Sequence, residues 1–276
     1  MNIVKANGDI VAYDSNYLRR SLKRAGTDKH LVEKVIELVE RQIYDLISTA
    51  ELYKIVFKEL RRLKRSAAGK YNLKRAIMEL GPTGFPFEKF VAALHRAEGF
   101  STETGPIIKG YCVRHEVDVV AEKGNLHFMM ECKFHNESGK VCDLKTALYV
   151  YARFLDIEKI WKQIPGHRDK IHRGWLVTNM RFTSDAIKYG TCAGLGLLSW
   201  DFPAGESLRE RIDRSGLHPI TCLTSLGKKE KQMLLQRMIV LCRDLCEQPL
   251  VLHEIGVRGM KGAAVMEEAA AICGHA

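Results

Sequence analysis

Nowhere among the 276 residues does an apolar run approach the length of a membrane-spanning helix, and the N-terminus MNIVKANGDI lacks the apolar core of a secretory signal. A cytoplasmic protein with no membrane partner is expected. The eight cysteines include no C-x-x-C pair and most sit in apolar segments as small buried residues, which fits the cytosol. Cys242 and Cys246, one helical turn apart with His253 beyond, form too sparse a pattern for a zinc motif. The phosphate-cradling loop G-x-x-x-x-G-K-[ST] is also missing, which disfavours an ATPase and makes any bound nucleotide an effector. Internal repeats and low-complexity tracts are absent. Acid is the scarcer charge, 33 Asp and Glu against 43 Lys and Arg, so the formal net charge is +10 and the surface should attract polyanions such as DNA. The excess is uneven: residues 1–81 hold 17 basic against 10 acidic residues.

What is present concentrates between His115 and Phe134, HEVDVVAEKGNLHFMMECKF. Glu116 to Val120 alternates acidic and apolar residues, Lys123-Gly124-Asn125 has turn chemistry, and Met129 to Phe134 alternates again, so a β-hairpin is predicted. Period two puts Glu116 and Asp118 on one face of the first arm and projects Glu131 and Lys133 together from the second. If the arms pair, Asp118, Glu131 and Lys133 converge. Neighbouring carboxylates repel unless a cation lies between them, and a hard divalent ion such as Mg2+ or Mn2+ suits such oxygen donors. A lysine beside it can orient water or stabilise charge on a phosphodiester. An isolated E-x-K means little; an Asp on one apolar strand, a short turn and E-x-K in the next together carry the reading.

The chain opens with strand Asn2–Lys5, an Asn7-Gly8-Asp9 turn and return strand Ile10–Tyr13. Helices are predicted from Asn16 to Ala25, from about Asp28 to Tyr44, after a Ser48 or Thr49 cap, and from Tyr71 to Leu80. The patterns Val4-Lys5-x-x-Gly8, Leu18-x-x-Ser21-Leu22-x-x-Ala25-Gly26, Ser48-Thr49-Ala50-Glu51-Leu52 and Lys70 to Ile77 resemble the ATP-cone, the nucleotide-sensing domain of ribonucleotide reductases and their repressor. The resemblance implies that Lys5 contacts phosphates, that Gly8 allows close approach, and that Thr49 with Lys70 or Lys74 completes a pocket for ATP or dATP as effector. Lys5 is followed by Ala6, where many members carry a second basic residue.

Gly81-Pro82-Thr83-Gly84 marks a domain boundary, and Pro86 starts a helix with Glu88 in its first turn. Past the hairpin come a helix from Asp143 to Leu155, with Leu144, Ala147, Leu148, Tyr151 and Leu155 as its apolar stripe, strand Gly174–Thr178, helix Thr183–Cys192 and strand Leu195–Trp200. This alternation predicts an α/β sandwich with a mixed central sheet. The Phe87-Glu88 helix start, V-D-V-V-A at 117–121, E-C-K at 131–133 and the L-V-T-N and F-T-S-D-A-I-K stretches between 176 and 188 resemble the PD-(D/E)xK nuclease fold, in particular Mrr-like type IV restriction endonucleases. By that resemblance Asp118 and Glu131 hold the metal, Glu88 assists through water and Lys133 is the catalytic lysine. Glu131 stands where many Mrr-like relatives have Gln. Of the flanking His115, His127 and His135, the last has the best claim to touch a phosphate.

From Gly205 the character turns helical, with stripes at Leu208–Ile212, Leu226–Leu245 and Val265–Ile272. Leu252–Val257 resembles the turn of a helix-hairpin-helix DNA module, though a packing or dimerising bundle fits better. Three segments are expected: an ATP-cone at 1–81, a restriction-endonuclease-like α/β/α sandwich at 82–204 and a helical region at 205–276. The function expected is a nucleotide-regulated, metal-dependent DNA endonuclease in type IV restriction, acting as a homodimer. The alternatives are an ATP-controlled DNA-binding protein with a silent nuclease fold and a repair or junction nuclease.

Overall fold

The computed structural model describes residues 1–137 and 139–274. The chain forms two compact units, one made of Met1–Ala76 with Ile220–Ala276, the other of Ile77–Pro219. These differ from the three serial segments expected above. The boundaries fall at 76/77 and 219/220 rather than 81/82 and 204/205, and the C-terminal helices share a unit with the N-terminal segment. No described helix is long and apolar enough to cross a membrane.

In the first unit, strand Asn2–Val4 pairs antiparallel with Ile10–Ala12 and parallel with Ile47–Ser48. The turn between the first two strands closes by a Gly8 N–H to Lys5 carbonyl bond of 2.9 Å, and Gly8 adopts φ +88°, a left-handed conformation that a residue without Cβ adopts at little cost. Three helices follow as the side-chain caps dictate. Asp14 accepts from Asn16 N–H before Ser15–Arg24, Asp28 accepts from Leu31 N–H before Lys29–Glu40, and Ser48 and Glu51 form a reciprocal capping box on Thr49–Leu63. Leu18, Leu22, Val32, Val35, Ile36, Val39, Val56 and Leu60 make their common core.

Where one helix was expected from Tyr71 to Leu80, the chain forms Arg65–Tyr71 and Leu73–Met78. The C-terminal segment packs on the first of these. Gly69 lies so close to it that a Cβ there would sit 2.6 Å from the Cys222 carbonyl oxygen. Thr221 donates to the Ala76 carbonyl (2.6 Å) and Arg61 to that of Thr224 (3.0 Å). The buried Glu268 accepts from the backbone N–H and hydroxyl of both Thr224 and Ser225. The expected stripe Leu226–Leu245 is interrupted: Lys228–Gln236 stops where Met238 turns left-handed (φ 63°), and a new helix begins at Cys242.

The second unit is built on a five-stranded sheet in the order Gly196–Leu198, Ile171–Thr178, Leu126–Lys133, Val119–Lys123, Ser101–Thr104. The first three strands run parallel, and the last two pair antiparallel, as a mixed sheet requires. Leu126–Lys133, which carries the E-x-K residues, is central and almost wholly buried. One of its faces, with Met129, packs on Val150, Phe154, Ile157 and Trp161 of helix Leu144–Trp161 and on Ala186 of helix Ser184–Ala193. The other presents Phe134 to Phe87 of helix Phe85–Ala97, with ring centroids 5.6 Å apart. Helix Leu144–Trp161 is longer than predicted and rolled. Leu148 and Leu155 of the expected stripe are exposed, because Val150, Phe154, Ile157 and Trp161 make a bulkier stripe and bury more apolar area.

Candidate active site

The predicted hairpin forms: Val119–Lys123 pairs with Leu126–Lys133 in the register Val119↔Met130 to Lys123↔Leu126, around a turn at Gly124 (φ +58°) and Asn125. Its first arm is shorter than expected. The chain breaks at Val117-Asp118, and Glu116 belongs to a separate strand, Arg114–Glu116, paired with Ile107–Lys109. The break comes from a contact across the hairpin. Asp118 Oδ2 accepts the Cys132 N–H at 2.6 Å, so its side chain takes the place of a ladder carbonyl and ties the bend to the motif strand.

Glu131, 4% exposed, is held between two cations. Lys133 Nζ donates to its Oε1 at 2.6 Å, and Arg153 donates both to its Oε2 and to the Glu116 carbonyl. Tyr149, one helical turn before Arg153, lies under both Arg153 and Lys133, 5.4 and 6.0 Å from its ring centre. Glu88 stands in the first turn of helix Phe85–Ala97, where desolvation, then the charges of Asp118, Glu116 and Glu131, push its carboxyl up to about 7. Burial, then Glu131, raises Asp118 to about 6, against the Cys132 N–H and the Lys133 and Arg153 charges. Burial lowers the Lys133 ammonium, but its hydrogen bond to Glu131 and the Glu131 and Asp118 charges outweigh this, and its pKa is raised. The site therefore holds clustered carboxylates with more negative charge than its cations offset, beside a lysine that stays protonated.

Sequence reasoning missed Arg153 and Tyr149, because they lie next to the helix stripe it chose wrongly; the Val150-Phe154-Ile157-Trp161 repeat would have aimed them at the motif strand. Of the flanking histidines, His115 is bound to Asp156 (Nε2 to Oδ2, 2.8 Å) and His127 is buried at the far end of the motif strand. His135 is fixed through its backbone, its N–H and carbonyl both bonded to the Asn179 side chain. Among the described residues, no group of three or more His, Cys, Asp or Glu is placed so that it could hold a metal ion, the Cys242–Cys246–His253 neighbourhood included.

In the first unit a cavity of about 500 Å³ is lined by Lys5, Thr49, Ser21, Tyr13, Tyr17, Tyr53 and Tyr71. Tyr53 and Tyr71 stack at 5.1 Å, and Tyr53 donates to Asn72 Oδ1 at 2.5 Å. Burial pushes the Tyr71 hydroxyl up to about 12 despite its bond to Ser21. Lys5 and Thr49 of the predicted set are thus brought together. Gly8 occupies the strand turn, the Lys70 side chain lies near Gly26, and Lys74 is exposed on helix Leu73–Met78; none of the three is among the lining residues.

The ATP cone domain family model matches residues 1–79, so this segment is an ATP-cone domain. A second family, AF1548-like, C-terminal, matches residues 218–273. An uncharacterized protein of Archaeoglobus fulgidus is 38% identical over 185 residues, covering 67% of this chain and all of that one. The chain belongs to the AF1548-like family. The crystal structure of AF1548, a protein of unknown function, superposes with a TM-score of 0.57 at 36% identity, over 70% of this chain and 100% of that one. The MspJI restriction endonuclease, solved with a 27-mer oligonucleotide, aligns at a TM-score of 0.30 and 12% identity over 66% of this chain and 36% of its own. That likeness is too slight to carry an argument about this AF1548-like protein.

Proposed function

We propose that the second unit is a PD-(D/E)xK-type α/β/α nuclease domain that hydrolyses DNA phosphodiester bonds with a hard divalent ion, and that the ATP-cone reports nucleotide state to it. The observation that supports this is the gathering of Asp118, Glu131 and Glu88 around Lys133, with two carboxyls pushed up by burial and by one another. Mutually repelling oxygen donors fit Mg2+ or Mn2+, which Asp118 and Glu131 would hold with Glu88 assisting. Such an ion, when bound, supplies Lewis-acid charge at the phosphate and a more acidic water. Lys133 carries the positive charge that steadies the pentavalent phosphate, and Arg153 with Tyr149 fixes the positions of Glu131 and Lys133. The basic surface draws in the polyanion. In the ATP-cone, Lys5 and Thr49 would meet phosphates, and the tyrosines would wall the cavity that takes ATP or dATP, with Gly8, Lys70 and Lys74 as outer candidates. A homodimer cutting both strands in type IV restriction is the setting this reading favours; a repair or junction nuclease is the variant within it.

One feature favours a second reading. Both oxygens of Glu131 already have cationic partners in Lys133 and Arg153, which neutralises the cluster's most buried acid without a metal. A silent nuclease fold whose DNA affinity is set by ATP would look the same. Cleavage of methylated, unmethylated and branched DNA, with Mg2+ or Mn2+ and with or without ATP or dATP, separates the two. Cutting that requires metal and is lost in Asp118→Ala and in Lys133→Ala supports the nuclease. Nucleotide-dependent binding of every substrate with no cutting refutes it in favour of the binder.

A further inference from the structure

A groove of about 440 Å³ opens beside the candidate site, between the loop 110–113 and helix Leu144–Trp161. Cys112 and Val113 of the loop and Tyr149, Leu155 and Lys159 of the helix line it, all five exposed. Arg153 lines it too, so the groove runs up to Glu131 and the motif strand. Tyr111, 63% exposed, stands at its rim.

The loop is held rigidly by one residue. Asp156 accepts the Cys112 N–H at 2.8 Å and the Val113 N–H at 3.4 Å, meets His115 Nε2 at 2.8 Å, and accepts the Tyr111 N–H at 3.0 Å with its carbonyl. The bond from His115 is the chief cause that holds the Asp156 carboxyl well below the usual carboxylate range. Its charge is committed to the loop and is not turned on a polyanion. A Cβ on Gly110 would run into that carboxylate, so glycine is what lets the loop pass so close. A tip fixed beforehand loses little freedom when something binds to it.

Rings and cations alternate along the groove. Lys159 Nζ lies 5.0 Å from the centre of the Tyr111 ring, as Arg153 and Lys133 lie 5.4 and 6.0 Å from that of Tyr149. Lys109 and Arg114, exposed register partners, flank the loop on either side. A single strand of nucleic acid is bound by such a surface, its phosphates by the cations and its bases on the ring faces. A protein interface of standard size buries about 1,600 Å² in total and is poor in lysine at its centre, which this small, lysine-bearing groove does not match. A base inside a duplex has neighbours on both faces and offers none to a tyrosine, whereas an unpaired base does.

The geometry points to this groove as a seat for unpaired DNA bases: the strand passes Lys133, its bases stack on Tyr149 and Tyr111, and Lys159, Lys109 and Arg114 meet its phosphates. The inference rests on the proposed function for DNA as the substrate, and adds that the substrate is single-stranded at the site, as in a gap, a tail or a branch.

The test is the affinity of the full chain for an oligothymidylate and for a base-paired duplex of equal length, by fluorescence anisotropy in EDTA so that nothing is cut. The wild type should favour the single strand. Tyr111→Ala should weaken single-strand binding by about 5- to 100-fold, the worth of one stacked base, and shrink that preference. Tyr111→Phe, which keeps the ring, should bind like the wild type. Lys159→Ala should lower the salt slope on the single strand by about 0.7. Absent single-strand binding, single-strand binding unchanged in Tyr111→Ala, or equal weakening of both substrates overturns the inference. So does a wild-type dimer that sedimentation shows to dissociate in Tyr111→Ala, which would make the groove a contact between two copies. Metal-dependent cutting is scored separately. If neither substrate is cut while the Tyr111 effect stands, the nuclease reading fails and the single-strand seat holds; if DNA is cut and Tyr111→Ala changes nothing, the seat fails alone.

Discussion

The Asp118 carboxyl offers a sharp test of the candidate site, because what it does for chemistry it takes from stability. Its pKa rises from 3.8 to about 6, by burial first and by Glu131 second. The folded state therefore keeps a proton that the unfolded chain gives up near pH 4. The sign follows from linkage: the contribution is fully present below pH 3.8 and is lost as pH rises through about 6. Two units at about 1.4 kcal/mol each set an upper bound of about 3 kcal/mol, and coupling with Glu88 and Glu131 brings the expectation to roughly 1–3 kcal/mol. Asp118→Asn removes the titration while its amide oxygen can still accept the Cys132 N–H. In EDTA at pH 8 the variant should be more stable than the wild type, by about 5 °C in Tm if the difference is about 2 kcal/mol. At pH 4 the two should melt together. Denaturant or thermal unfolding at both pH values measures this. A variant that melts at or below the wild type at pH 8, or a gap that does not change with pH, would refute the electrostatic account of the cluster.

Two further predictions concern packing. Gly174→Ala places a Cβ 2.8 Å from Phe154 Cγ and 3.1 Å from Leu195 Cδ1, on the face where helix Leu144–Trp161 meets the sheet, and should cost about 1–3 kcal/mol in a urea titration. Glu268→Gln turns an amide donor toward Ser225 or Thr224, whose N–H and hydroxyl now donate to the carboxylate; it should lower stability by about 2–3 kcal/mol, and an unchanged unfolding midpoint would show those bonds to be dispensable.

Features set by neighbours along the chain were legible in the residues alone. The cap read at Ser48 or Thr49, which is Ser48, and the turns at Gly8 and Gly124 are local conformational preferences and formed where they were read, while the hairpin arms read at Glu116–Val120 and Met129–Phe134 pair as Val119–Lys123 with Leu126–Lys133. Glu131 and Lys133 were legible for the same reason, since strand period projects both from one face, whereas Asp118 lies outside the strand and is tied to the motif strand by its bond from Cys132 N–H. Misreadings arose where several local solutions cost nearly the same and long-range packing chose among them. Helix Leu144–Trp161 has two candidate stripes, and only the sheet beneath it selects Val150 and Phe154, which in turn delivers Arg153 to Glu131. The break at Asp118 depends on a backbone N–H 14 residues away. The partnership of the C-terminal helices with the N-terminal segment, through Gly69, Thr221 and the buried Glu268, leaves no periodic trace, since each such contact joins residues far apart in the chain. His127 and His172 are of the same kind: 45 residues apart, they become neighbours only because two parallel strands align in that register.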